Sequence, residues 1–220
     1  MSDQKADTAT RKTRDRGLFI VFEGGEGAGK TTQAGLLTEW LESLGHTVLQ
    51  TREPGGTELG KEIRELLLHG GQVDPRAETL LYAADRAQHI NTLVKPALDR
   101  GETVVQDRYI DSSIAYQSGA RGFDAAEIAG FSAWATGGLL PDLVILHDID
   151  PLDGASRREQ RGAAADRLER ESLEFHRRVR ETFLQRAGQD PQRYLVIDAM
   201  QTREAIAEQI RERVTQLLQR

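Results

Sequence analysis

FEGGEGAGKTT, Phe22 to Thr32, follows directly on the apolar run LFIVF (18–22) and sets five glycines and alanines around a single lysine. Gly24, Gly29, Lys30 and Thr31 satisfy G-x-x-x-x-G-K-[ST]. Between a strand and a helix this spacing has a physical purpose. The glycines let backbone N–H groups converge on phosphate oxygens, and the following helix adds its positive end. The stretch predicts a nucleoside triphosphate site built from Gly24, Gly25, Glu26, Gly27, Ala28, Gly29, Lys30, Thr31 and Thr32. Lys30 would reach the β/γ-phosphates and Thr31 would offer its hydroxyl to Mg²⁺. The alternative is an ordinary Gly-rich turn with a solvated lysine, and the flanking strand and helix argue against it. The loop says ATP or GTP and is silent about the acceptor.

Working outward, β-branched runs recur at 47–51, 103–107, 143–147 and 194–198. Short Val/Ile/Leu runs without alternation predict strands buried on both faces, as in a parallel sheet. Helical segments separate them. Thr31–Leu44 ends at Gly45, and a long segment starts with Asp74 as N-cap and Pro75 at N1. That segment runs to about Arg100, with a bend expected at Pro96. Arg170–Ala187 and Thr202–Gln219 are further amphipathic candidates. Alternating strand and helix predict a doubly wound α/β domain over 17–220. The basic, Gly/Ala-rich stretch Arg157–Arg167 reads as a mobile lid between helices.

The 220 residues carry a net charge of −6, so a polyanion must be held in a locally basic pocket, which a nucleotide fits better than a nucleic acid duplex. No apolar run is long enough to span a bilayer. Residues 1–16 mix acids and bases without an apolar core and read as a flexible tail rather than a targeting segment. The absence of cysteine excludes disulfides and thiolate zinc sites and suits the cytoplasm. The five histidines show no metal-ligand spacing. No N-K-x-D segment is present to read guanine, which points away from GTPases and towards small-molecule kinases.

Three more stretches bear on the acceptor. TREPGGTELG (51–60) puts Arg52 at the carboxyl end of a strand, where open α/β sheets bind ligands. YAADR (82–86) puts Tyr82 and Arg86 one helical turn apart, able to stack on a base and bond its edge. A core Tyr with Arg86 paired to Asp85 or Glu78 is the competing reading. DRYIDSSIAYQ (107–117) brings Asp107 to a strand end for a water on Mg²⁺ and points Arg108 at phosphate. A structural Asp107–Arg108 ion pair is its alternative.

Taken together and in this order, with PDLVILHDIDP (141–151) and the Arg-rich lid, these stretches resemble bacterial-type thymidylate kinases from about Leu18 to the C-terminus. The resemblance implies a P-loop NTPase fold with a five-stranded parallel sheet and a small lid (about 154–168). It also implies a homodimer, and transfer from MgATP to dTMP giving dTDP. Residue by residue, it implies Glu26 near the dTMP sugar and phosphate, and Arg52 and Arg108 on that phosphate. Tyr82 would stack on thymine and Arg86 would donate to its O4. Ser112, Ser113, Tyr116 and Gln117 would line the sugar and base. Arg161 matches the family's catalytic lid arginine, with Arg157 beside it on ATP and Arg167 in the same lid. Gln106 departs from the pattern, where a small or apolar residue usually precedes Asp-Arg. Another nucleotide or nucleoside kinase, and a non-catalytic ATP-binding module, remain as alternatives.

No general base is expected. The second pKa of a phosphate monoester is about 6, so the nucleophile arrives ionised. The barrier is electrostatic, and Lys30, Arg108 and the lid arginines are the residues placed to lower it.

Overall fold

The computed structural model describes residues 16–160, 162 and 165–219. The five apolar runs form strands β1 (Phe19–Gly24), β2 (Val48–Arg52), β3 (Thr103–Asp107), β4 (Leu143–Asp148) and β5 (Tyr194–Asp198). All pair in parallel, in the order β2-β3-β1-β4-β5. The three inner strands are buried on both faces, as continuous apolar runs require. The edge strands β2 and β5 are only half-buried, because each has a neighbour on one side alone. Gln106 lies inside β3 fully buried, its amide spent on the Arg108 carbonyl at 2.9 Å.

Helix α1 (Lys30–Ser43) follows the Gly-rich loop and stops ahead of Gly45, whose φ of +85° a side chain would resist. The 75–100 segment starts as expected, with the Asp74 carboxylate accepting from Arg76 N. It is not one uniform helix. Helix α3 (Pro75–His89) passes through a π-helical turn, Ile90–Val94, into α4 (Lys95–Asp99). The irregularity precedes Pro96, which lacks an N–H and crowds the carbonyl four residues back. Helix α8 (Leu173–Gln189) begins behind Ser172 as N-cap rather than at Arg170, and α9 spans Arg203–Leu218 behind Thr202. Sequence periodicity missed α2 (Glu58–Leu68), α6 (Ala125–Thr136) and α7 (Pro151–Gln160). The last is a correction: the first half of the expected lid is helical. Between β3 and α6, helix α5 (Ile110–Ser113) continues into a π-helical stretch, Ile114–Ala120.

One core cluster packs α1 and α9 against one face of the sheet, through residues such as Phe22, Leu37, Leu41, Ile145 and Ile210. The other face receives Ile90, Val94 and Leu98 against Phe19, Val21 and Val104. A third cluster joins α2, α8 and the Ile114–Ala120 stretch through Leu67, Tyr116, Phe175 and Phe183. Residues 1–15 of the expected tail lie outside the described residues. Arg16 belongs to the folded part, because its guanidinium spans both oxygens of Asp142 at 3.0 and 3.1 Å.

Candidate active site

Strand register decides which loop residues meet. Phe22 and Arg52 are each level with Asp107, and Gly24 is level with His147. The Gly-rich loop therefore leaves the sheet between the ends of β3 and β4, beside Arg52 and Asp107. Here a cleft of about 670 Å³ opens, floored by residues 26–32 and walled by Arg52, Arg64, Asp107, Arg108 and Arg158. Its position outside the carboxyl ends of the strands is where open α/β sheets take ligands.

Lys30 folds back over the loop, donating to the carbonyls of Gly24 (3.0 Å) and Gly25 (2.7 Å). Burial and the Arg108 charge pull its pKa down, which leaves it wanting an anion more than a carbonyl supplies. Gly27 cannot be replaced cheaply: φ is +72°, and a Cβ would lie 2.2 Å from the Gly154 carbonyl oxygen. Reciprocally, a Cβ on Gly154 would lie 2.3 Å from the Glu26 oxygen. Helix α7 is thus seated backbone-to-backbone on the phosphate loop. The Thr31 hydroxyl donates to Asp107 Oδ2 at 2.7 Å, while Asp107 Oδ1 is buried and unpartnered. A hydroxyl and an orphaned carboxylate oxygen beside a phosphate loop are hard oxygen donors that fit Mg²⁺.

Arg108 stands between this cleft and a smaller one. Its φ of +69° is the left-handed region, a conformation costing a non-glycine residue about 1–2 kcal/mol. Three bonds hold it there. Arg108 N donates to Phe22 O at 2.8 Å, Gln106 donates to the Arg108 carbonyl, and Tyr109 N donates to Glu23 Oε1 at 2.8 Å. The guanidinium pairs with Glu26 and donates to Gly24 O (3.2 Å), Ser112 Oγ (3.1 Å) and Tyr116 Oη (3.4 Å). An Asp107–Arg108 ion pair, the competing reading of this dipeptide, is not formed. Burial would raise Glu26, but Arg108 and Lys30 outweigh it and hold the carboxyl down at about 2. Glu26 is therefore an anion at any working pH, and it takes a bond from Tyr116 Oη at 3.0 Å.

The second cavity, about 80 Å³, is a slot with Pro54 and Leu68 as apolar walls. Tyr82, Arg86, Ser112, Ser113, Tyr116 and Gln117 all line it together with Glu26 and Arg108. The expected acceptor residues, drawn from separate elements, thus converge. Arg86 is paired, with Glu53 at 2.8 Å rather than with Asp85 or Glu78. It also donates to Ser113 Oγ, Ser132 Oγ and Tyr109 O, so one of its five N–H groups is left for a ligand. Gln117 is held by Glu78 at 3.1 Å.

The lid arginines separate. Arg157 points away from the phosphate cleft and donates to Ala199 O at 2.9 Å, next to the segment after β5. Arg167 is anchored, bonding Leu67 O at 2.8 Å and pairing with Glu78. Neither joins Glu159 or Glu169. Arg161 lies outside the described residues. Among the described residues, the lid arginine that does face the cleft is Arg158, one turn beyond Gly154, with Glu169 at a loose 3.9 Å. Sequence reasoning also missed Arg64 and Glu23. Arg64 comes from α2 and bonds only the Pro54 carbonyl, at 3.0 Å. Burial and the Arg52 charge lower its pKa. Arg52 itself has no ion pair or hydrogen bond among the described residues. Two guanidinium groups side by side at the cleft without a carboxylate partner among the described residues offer a place for an anion.

Among known proteins, the model of the family described as thymidylate kinase matches residues 22–210 of this chain. A thymidylate kinase of Clavibacter michiganensis is 56% identical over 203 residues, covering 92% of this chain and 96% of that protein. One from Cutibacterium acnes is 53% identical over 206 residues, covering 93% and 99%. The crystal structure of thymidylate kinase from Ehrlichia chaffeensis superposes with a TM-score of 0.74 at 32% identity, over 90% of this chain and 98% of that one.

Proposed function

This chain belongs to the thymidylate kinase family, and we propose that its site transfers the γ-phosphoryl group of ATP to the phosphate of dTMP, giving ADP and dTDP. One observation carries the reading: a triphosphate loop and a base-sized slot open on opposite sides of Arg108, with Arg52 and Arg64, neither paired to a carboxylate among the described residues, beside it. The donor's triphosphate lies along residues 24–32 with Lys30 exchanging its two carbonyls for phosphate oxygens. The acceptor's base enters the slot beside Tyr82 and Arg86, and its phosphate turns towards Arg52, Arg64 and Arg108.

Chemically little has to be made or broken by side chains. The dTMP phosphate is already ionised, so the chain supplies placement and positive charge. Arg108 pairs with Glu26, and Glu26 stays charged. The acceptor phosphate competes with Glu26 for that guanidinium, and the carboxylate is left free for the sugar hydroxyl. Thr31 and Asp107 would hold Mg²⁺, which neutralises phosphate charge when bound. Arg158 faces the phosphate cleft from the lid and Arg161 is the lid residue assigned to the transferring group, while Arg157 sits beside the adenine end near Ala199. Tyr116, packed over Arg108 with 5.3 Å between the guanidinium carbon and the ring centroid, crowds the space a ribose 2′-hydroxyl would need.

The protein works as a homodimer in the cytoplasm, on this reading. Leu59 and Leu66 of α2, Leu80 of α3, and Phe131 and Trp134 of α6 are exposed on helices that pack side by side, Trp134 at 84%. Exposed apolar groups on neighbouring helices fit an interface between copies. The cysteine-free composition suits a reducing compartment.

The test is a panel of dTMP, dUMP, UMP, CMP, AMP and GMP with MgATP, with diphosphate formation followed by chromatography. The proposal expects dTMP to be preferred. UMP preferred over dTMP would overturn the placement of Tyr116, and ATP binding without turnover of any monophosphate would overturn the enzyme.

A further inference from the structure

Glu23 is a fully buried carboxylate at the end of β1, one residue before the phosphate loop, and it touches neither cleft. Its two oxygens are fully employed. Oε1 accepts from Tyr109 N at 2.8 Å and Ser112 N at 3.1 Å, and Oε2 accepts from Ser112 Oγ at 2.6 Å. These three donors lie on the segment that carries Arg108 and enters α5. The first fixes the peptide plane immediately after Arg108, where the backbone is in the left-handed region. The third turns the Ser112 proton towards Glu23, so that the remaining lone pairs of Ser112 receive Arg108 Nη1 at 3.1 Å.

The geometry points to Glu23 as a positioning residue for the acceptor: it holds the Arg108–Ser112 turn in the one shape that aims both side chains at the dTMP phosphate and sugar. Burying a carboxylate is unfavourable unless its partners are worth the desolvation. Three donors converging from one turn are the reason it persists. Burial and the adjacent Asp111 carboxylate raise its pKa to about 7. Asp111 in turn is held by Arg186 of α8 and Tyr194 of β5, so the far side of the turn is fastened as well. The clamp bonds the acceptor wall directly, while Lys30 in the phosphate loop keeps its own bonds to the carbonyls of Gly24 and Gly25.

The inference rests on the proposed acceptor, and three variants test it. In Glu23→Gln the amide oxygen can still accept both N–H groups and the NH₂ can donate to Ser112 Oγ, so the backbone half of the clamp survives. Glu23→Asp is one methylene short and cannot reach all three donors. Glu23→Ala removes them all. Steady-state kinetics should show KM for dTMP raised tenfold or more in Asp and Ala, KM for ATP within twofold, and Gln within about threefold of the parent on both. Should Ala fail to fold, the contrast between Asp and Gln carries the test. Equal rises in both KM values, an unaffected Asp variant, or a Gln variant as impaired as Asp would each overturn the positioning role. A parent enzyme that ignores dTMP would instead overturn the proposed function, which keeps the two failures apart.

Discussion

Replacing Gly154 by alanine should leave the fold standing and disable the site. The added Cβ meets the Glu26 carbonyl oxygen at 2.3 Å. Ordinary contacts of this kind begin above about 3.0–3.4 Å, and the neighbour is backbone rather than a pliable side-chain tip. Helix α7 and the phosphate loop must therefore separate by about 1 Å. For stability, alanine in a helix interior is favoured over glycine by about 1 kcal/mol, which offsets part of an overpacking cost of about 1–3 kcal/mol. The net loss is about 0–2 kcal/mol, a melting shift of a few degrees in a domain this size. For catalysis, an ångström of misplacement costs about 100-fold, or ~2.7 kcal/mol of barrier. Gly188 of α8, whose Cβ would enter open space, is the control. The assay is thermal melting alongside dTDP formation from dTMP and MgATP. A Gly154→Ala enzyme melting near the parent and retaining its activity to within about threefold would refute the claim that α7 seats the loop.

Other outcomes follow from the same site. Asp107→Asn removes the carboxylate whose second oxygen is unpartnered; the Mg²⁺ concentration for half-maximal rate should rise at least about tenfold with KM for dTMP little changed. A metal titration with unchanged midpoint would exclude Asp107 from the metal. Arg161→Ala should lower kcat about 10²–10³-fold while leaving KM for dTMP within a few-fold, because its contact forms mainly in the transition state. Unaltered turnover would remove Arg161 from the mechanism. Glu26 has a folded pKa near 2 against an ordinary 4.5, so its charge contributes stability in full above about pH 4.5 and loses it as pH falls towards 2. The depression corresponds to at most about 3 kcal/mol. Urea unfolding of the parent and of Glu26→Gln should accordingly differ most near pH 6 and converge near pH 2.5. Curves that stay parallel across that range would contradict the ion pairing.

Several residues were legible because their chemistry is local. Gly24, Gly29, Lys30 and Thr31 act through backbone shape and spacing, which neighbours in sequence control. Asp74 caps its helix through a bond spanning two residues. Arg157 and Arg158 mark the limit of this legibility. They are adjacent, but a helical step turns one towards Ala199 and the other towards the cleft, and only the seating of Gly154 on Glu26 decides which is which. Arg64 gave no signal because its helix was not recognised in the sequence, and it matters only because Arg52 lies beside it.

By itself the sequence determined that a strand ends in a triphosphate loop, that strands alternate with helices, and that arginines stand at the strand ends, since each depends on contacts a few residues apart. Tertiary structure alone decided that β1 lies between β3 and β4, that Arg108 is held in a left-handed turn by a Tyr109–Glu23 bond spanning 86 residues of the chain, and that Arg52 and Arg64 have no carboxylate partner among the described residues. The physical reason is that charge compensation is a property of space. Whether a guanidinium is satisfied or waiting for a phosphate depends on which distant carboxylates the fold brings within reach.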